Sequence, residues 1–266
     1  MDENDYSNLL LKVITEFHDD FERIFKEKGK VPVYNFFNVV EEGVYHISVL
    51  LIDLSCLIYG NGYSDEMIFL LSKEVEFWKF NRYYFNGSKQ IIDSLFKLNN
   101  AVYKLDVHRN IYRCQKVNPA FNYASGKLQM GDKRRLDELA SLSQAFSKAY
   151  DGTEMDLEKC KRLIWDGIIN DNFYQWNDNN KICSIAQTIN GEQHDFPVIG
   201  HFYTNPLFRN KGFGASLIHS LTTGLLKNGN DFVMLVADAT NTASNKVFIN
   251  VGYEKTGEYL RGYKEA

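Results

Sequence analysis

A chain of 266 residues with 44% hydrophobic residues has room for two domains of roughly 100–150 residues each. Its net charge is −4, with no block of five like charges, so it shows no footprint for a phosphate backbone and nucleic acid is not an expected partner. The longest apolar run, Ile47–Leu54, is broken by Ser48 and Asp53 and is too short to span a membrane, and the acidic start MDENDYSNLL does not read as a signal peptide.

The cysteines, Cys56, Cys114, Cys160 and Cys183, are scattered without a CxxC spacing, and the six histidines are scattered too. This pattern predicts reduced, packed thiols in a cytoplasmic protein, and no metal site. The basic run Lys133-Arg134-Arg135 reads as a solvated helix face. A homodimer is compatible with the sequence.

In chain order, residues 6–29 carry Tyr6, Leu9, Leu10, Val13, Ile14, Phe17, Phe21, Ile24 and Phe25, mostly three or four apart. That spacing predicts an amphipathic helix, ended by Gly29 and Pro32. Strands are predicted over 34–40 and 44–54 around the turn Glu41-Glu42-Gly43. A helix follows over 65–80. Phe85-Asn86-Gly87-Ser88 reads as a turn opening a helix over 89–98, and 101–116 reads as a strand. The pattern lapses over 117–126, which predicts a linker between domains at 1–117 and 127–266. The second domain opens with a strand over 127–130. Asp132 can cap a helix running to about Tyr150, and a second helix covers 156–170. Strands are predicted over 173–176, 182–189 and 198–204. A helix over 212–226, a strand over 232–238, a short helix over 245–250 and a closing strand over 253–263 complete the chain.

One turn stands out chemically. In FRNKGFGASL (208–217), a strand gives way to Arg-x-x-Gly-x-Gly and then to a helix. A helix N-terminus carries N–H groups without intrahelical partners and a partial positive charge. Glycines let the backbone approach an anion closely, and Arg209 and Lys211 add charge, so the turn can cradle a pyrophosphate. An ordinary left-handed turn is the structural alternative. A Walker A loop is excluded because no Gly-Lys-Ser/Thr closes it. The Rossmann fingerprint is excluded because the turn comes late, after an apparent antiparallel meander.

VIGHFYTNPLFRNKGFGASLIHSL (198–221) resembles the acetyl-CoA motif of the GNAT superfamily of N-acetyltransferases, and VADATNTASNKVFINVGYE (236–254) resembles the motif that follows it. The resemblance covers 126–266. The first half resembles a degenerate copy, as in tandem acetyltransferases. It lacks the Arg-x-x-Gly-x-Gly turn and is not expected to bind CoA; an unrelated α/β cap is the alternative. The resemblance implies an α+β fold, with a mixed, mostly antiparallel sheet flanked by helices, in two such domains. It implies that strand 198–204 splays from 232–238 and admits acetyl-CoA, whose pantetheine bonds to the backbone near Phe202, Tyr203 and Thr204. Arg209, Asn210, Lys211, Gly212, Phe213, Gly214 and Ala215 would hold the pyrophosphate. Asn241 would contact the pantetheine, cap the helix after it, or do both.

The reaction implied is direct attack on the thioester by a primary amine, carried by a small molecule or by a protein. The family's thiolate-protonating Tyr is replaced by Phe248, which has no proton to give. His201, Tyr203, Asp238 and Ser244 are weak candidates for proton transfer. His201 is predicted to face away from Phe202 by strand alternation. Water could take the acid's role, because a thiol pKa of ~8.5 makes the thiolate a good leaving group. A CoA-binding regulatory module without turnover is the competing reading. The acceptor is expected between the two halves, near the 147–158 loop. Tyr150 and Trp165 can line its site, and Glu154, Asp156 and Glu158 could attract a cation or merely favour a helix start.

Overall fold

A computed structural model describes residues 33–40, 43–52, 55–60, 62–77, 83–189 and 196–264. The helix expected over 6–29 lies outside them. The chain divides into two compact units, Met1–Ile111 with Gly257–Ala266, and Tyr112–Thr256.

The first unit contains β1 (Val33–Val40), β2 (Gly43–Ile52), β3 (Ser55–Gly60), β4 (Tyr84–Ser88), most of β5 (Tyr103–Cys114) and most of β11 (Glu254–Lys264). Their order is β1-β2-β3-β4-β11-β5. Helices α1 (Asp65–Glu74) and α2 (Lys89–Leu98) each bury one face. Met67, Ile68 and Leu71 of α1 and Ile91, Ile92, Leu95 and Phe96 of α2 recur three or four apart, and they pack on Ile47, Val49, Cys56, Ile58 and Phe85. Leu260, fully buried, joins this core from the last strand. The expected domain 127–266 therefore gives up its final residues to the first unit, where Tyr259 to Tyr263 pair antiparallel with β4.

The structure departs from the sequence expectation at two places in this unit. The predicted strand 44–54 ends at Ile52, and a separate strand, β3, follows. The predicted turn at 85–88 is strand β4, running straight into α2. Gly87 sits at φ +136°, and a Cβ there would lie 1.8 Å from the Ile58 carbonyl oxygen. Only glycine permits that approach, and it lets β3 and β4 pair in parallel over four consecutive positions, Ser55↔Tyr84 to Ile58↔Gly87.

The second unit follows the predicted order closely. It comprises β6 (Lys127–Met130), α3 (Leu136–Asp151), α4 (Leu157–Ile169), β7 (Phe173–Asp178), β8 (Lys181–Ile189), β9 (Val198–Thr204), α5 (Phe213–Lys227), β10 (Val233–Asp238) and α6 (Thr242–Val251). The strand order is β10-β9-β8-β7-β6, antiparallel except for β10 beside β9. Asp132 caps a short 3-10 turn, Lys133–Arg135, which leads into α3. One core cluster packs Leu217, Ile218 and Leu221 of α5 and Phe248 and Val251 of α6 on Ile199, Val233 and Leu235. Another packs Leu139, Leu142 and Ile164 of α3 and α4 on Phe173, Ile182 and Ile185. All four cysteines are buried and free.

The expected linker 118–126 lies inside the second unit and is tied down along α5. Asn118 N–H donates to the Val251 carbonyl (2.7 Å), Ala124 N–H to Ser216 Oγ (2.9 Å), and Trp176 Nε1 to the Ser125 carbonyl (2.8 Å). His219 stacks on Phe121 at 4.2 Å. Asn, Pro and Gly give the segment a loop composition, but its hydrogen bonds are satisfied by the helix and strand it crosses.

Candidate functional site

The parallel pair of the second unit is short. Met234 opposes Val198 and Leu235 opposes Ile199, and the register ends there. Beyond Ile199, β9 continues to Thr204 and β10 to Asp238 without pairing to each other, so the two strands part. Just past that point β9 bulges. Gln187 opposes Gly200 and Ile185 opposes Tyr203, so Ala186 alone faces both His201 and Phe202. The extra residue is absorbed by His201 at φ +50°.

The glycine turn lies past the open end. Asn205 Oδ1 accepts from Leu207 N–H (3.1 Å) and shapes the 3-10 turn Pro206–Phe208. Arg209 Nε donates back to the Thr204 carbonyl (3.2 Å), and its guanidinium lies 5.4 Å from the Tyr203 ring centre. Lys211 Nζ donates to the Leu207 carbonyl (3.3 Å). Asn210 (φ +60°) and Gly212 (φ +81°) are both left-handed. The first bond of α5 runs from Ser216 N–H to the Gly212 carbonyl (2.9 Å). The N–H groups of Phe213, Gly214 and Ala215 therefore have no place in the helical ladder. No side chain caps this helix and no acid lies in its first turn, so its positive end is not neutralised from within. Gly214 lets the helix press onto β9, since a Cβ there would come within 2.5 Å of Thr204 Oγ1 and 2.9 Å of Phe202 Cζ. From behind, Ala124 Cβ lies 3.5 Å from where a Cβ on Gly212 would be. By contrast, α1 of the first unit is capped by Ser64 Oγ and carries Asp65 and Glu66 in its first turn.

Across the gap, the corner between β10 and α6 is pinned internally. Asp238 Oδ1 accepts from Thr240 N–H (2.8 Å) and Oγ1 (2.6 Å). Asn241 Oδ1 caps α6 by accepting from Ser244 N–H (3.1 Å). Asn245 Nδ2 donates to the Asp238 (2.9 Å) and Asn241 (2.7 Å) carbonyls, while its Oδ1 accepts from Tyr112 Oη (2.7 Å). Tyr112 and Asn245 were not singled out by sequence. An Asn one helical turn after a capping Asn is the only signal there for them. Phe248 is buried, 4% exposed, with ring centres of Phe202 at 5.7 Å and Tyr112 at 5.8 Å.

His201 points to the other face of the sheet. Its ring centre lies 4.4 Å from Phe146 of α3 and 6.0 Å from Phe173, and Nε2 is enclosed without a hydrogen-bond partner. Loss of hydration disfavours the imidazolium and pulls its pKa down to about 4. Tyr203 shares that face, against the cluster of Leu139, Ile164 and Ile185. The end of β9 and the glycine turn, Phe202 to Ala215, line one side of the gap and its mouth, and Asp238, Asn241 and Ser244 stand together at the corner across it, while the His201 and Tyr203 side chains turn to the α3 face. Among the described residues no group of three or more His, Cys, Asp or Glu could hold a metal, and no helix is long and apolar enough to cross a membrane.

Residues 186–261, which span β9, the glycine turn, α5, β10 and α6, match the family described as FR47-like protein. A search of curated proteins returned no match. Among solved structures, the chain is similar to a GCN5-related N-acetyltransferase from Sphaerobacter thermophilus, with a TM-score of 0.60 at 13% identity, over 100% of this chain and 94% of that one. It is similar also to an acetyltransferase of the GNAT family from Colwellia psychrerythraea, with a TM-score of 0.56 at 11% identity, over 96% and 97%. The fold is that of the GNAT acetyltransferases. Both alignments run nearly the whole length of the chain, so the likeness is not confined to the second unit.

Proposed function

We propose that the second unit is an N-acetyltransferase that takes acetyl-CoA in the gap between β9 and β10 and transfers its acetyl group to a primary amine. The observation that carries this reading is the end of β9–β10 pairing at Ile199 and Leu235, with an uncapped, glycine-lined helix start at the mouth of the same gap. An extended ligand arm can bond to strand backbone that lacks a partner on the side facing the gap. The N–H groups of Phe213, Gly214 and Ala215, with Arg209 and Lys211 nearby, suit a diphosphate. Asn241, its Oδ1 committed to the cap, keeps Nδ2 to donate to the ligand arm.

Acetyl-CoA supplies a thioester, an acyl group already activated for attack. The amine nitrogen forms the C–N bond, the C–S bond breaks, and the sulfur leaves as a thiolate. The Phe202 backbone N–H, beside the bulge, is the candidate donor to the carbonyl oxygen as it gains charge. His201, with its pKa near 4, stays neutral and accepts a proton poorly. The attacking amine is then drawn from its neutral fraction, and the nitrogen, cationic once the C–N bond has formed, gives its surplus proton to water as the C–S bond breaks. Phe248 offers the thiolate nothing, and water protonates it after departure.

A thiol-release assay with acetyl-CoA and a panel of primary amines tests the reading. Release should depend on the amine, and kcat/KM should climb about tenfold per pH unit until the amine's pKa of ~10 is approached. Saturable binding of acetyl-CoA without release for any amine would favour the second reading, a CoA-binding module without turnover, which Phe248 motivates.

A further inference from the structure

The corner that ends β10 and starts α6 is pinned by one side chain. Asn245 Nδ2 donates to the Asp238 carbonyl at 2.9 Å and to the Asn241 carbonyl at 2.7 Å. Its Oδ1 accepts at 2.7 Å from Tyr112 Oη, 133 residues away in sequence. The amide can lie only this way round, because a flipped amide would set its oxygen against two carbonyl oxygens.

Neither carbonyl needs Asn245 to be satisfied. Asn241 N–H already donates to the Asp238 carbonyl (3.1 Å), and Asn245 N–H to the Asn241 carbonyl (3.1 Å). An apolar side chain at 245 would orphan no backbone group. What the Asn245 side chain adds is direction. It ties the helix start to the strand end in one geometry, and Tyr112 ties both to the part of β5 that belongs to the second unit. Tyr112 is itself held firmly. It is 2% exposed, and its ring lies 5.8 Å from that of Phe248, which meets Phe202 at 5.7 Å and Tyr253 at 6.2 Å. Phe202 comes from β9 and Phe248 from α6, so these rings join the two walls of the gap.

The corner matters because of what it carries. Asn241 Oδ1 is committed to Ser244 N–H at 3.1 Å, so the direction of Asn241 Nδ2 follows the placing of the helix start. A hydrogen bond weakens steeply once its donor is misaimed.

We propose that Tyr112 and Asn245 are positioning residues for the pantetheine arm of CoA, holding the β10–α6 corner so that Asn241 Nδ2 meets an amide carbonyl of the arm. Neither residue touches the ligand. This assignment rests on the acetyl-transfer reading, in which the gap takes acetyl-CoA.

Calorimetric titrations of CoA, with denaturant melts of the same proteins, separate position from stability. Tyr112→Phe keeps the ring and removes one hydrogen bond, and CoA affinity should fall about threefold. Asn245→Leu removes the whole tie, and affinity should fall about tenfold. That variant also takes this acceptor from a buried hydroxyl, at a cost in stability. Adding Tyr112→Phe to it removes the hydroxyl. The double variant should therefore regain denaturant midpoint over Asn245→Leu, while its CoA affinity stays within about twofold of that variant's. ADP, which carries a diphosphate and no pantetheine, should bind all four proteins within about twofold, since the glycine turn is untouched. CoA affinity like the parent's in Asn245→Leu, affinity that returns with the midpoint in the double variant, or an equal loss for ADP overturns the positioning role and leaves the acetyl-transfer reading standing. A parent that binds no CoA removes that reading and this assignment with it.

Discussion

Gly214→Ala is expected to weaken CoA binding by about a hundredfold or more and to destabilise the second unit, whereas Gly224→Ala in the same helix stabilises it. The added Cβ at 214 would meet Thr204 Oγ1 at 2.5 Å and Phe202 Cζ at 2.9 Å. Neither neighbour yields easily. Thr204 Oγ1 accepts from Ser184 Oγ at 3.0 Å, and Phe202 is backed by Phe248. The helix must lift from β9, at about 1–3 kcal/mol for an overpacked contact. Lifting also carries the Phe213, Gly214 and Ala215 N–H groups away from where the proposed diphosphate would lie. Loss of two charge-assisted hydrogen bonds of about 1.5–3 kcal/mol each weakens binding by about a hundredfold or more. A Cβ on Gly224 meets nothing within 4 Å. Only the helix preference of Ala over Gly remains there, a gain of about 0.5–1 kcal/mol. Denaturant melts and CoA titrations of the two variants give the comparison. Equal effects at the two sites would refute the close contact between α5 and β9.

His201→Phe is expected to stabilise the protein, and increasingly so as the pH falls from about 6.5 to about 4. In the folded chain the imidazole titrates near 4, against an ordinary value of 6.5. Below about pH 6.5 the unfolded chain takes up a proton that the folded chain refuses, so the parent loses stability on acidification. A shift of this size is worth about 3 kcal/mol, lost in full once the pH reaches the folded pKa. The variant lacks this loss. At pH 7 it also drops the enclosed, unpartnered Nε2, worth about 1–3 kcal/mol. Denaturant midpoints for the two proteins at pH 7, 5.5 and 4 check the sign. Parallel curves would mean that His201 is hydrated in the fold.

The second unit was largely legible in the sequence because its elements are short and sharply punctuated. Gly212 and Gly214 marked the start of α5, and Asn241 was offered as a cap for α6, although that helix was expected only over 245–250 and runs Thr242–Val251. Alternation also placed His201 on the opposite face from Phe202. Features defined by a partner strand were not legible. The bulge at His201 exists only relative to Ala186, and nothing within 198–204 marks it. The gap between β9 and β10 depends on where pairing stops, and sequence reached it only through the family resemblance. The segment 117–126 looked like a linker because its Asn, Pro and Gly content matches a loop, although Ser216, His219 and Trp176 hold it in place. Leu260 carried no sign that it completes a core built from residues 47–96. Local patterning reports which face is apolar, not which distant residues cover it.

The proposed function requires that the gap between β9 and β10 and its glycine turn hold CoA. Its most direct test is a calorimetric titration of CoA into the parent and into Gly212→Glu. The substitution places a carboxylate on a left-handed residue at the mouth of the cradle, where both strain and charge oppose a diphosphate. The parent should bind one CoA per chain saturably and the variant should show no binding. A variant that binds as tightly as the parent, or a parent that does not bind, would contradict the account.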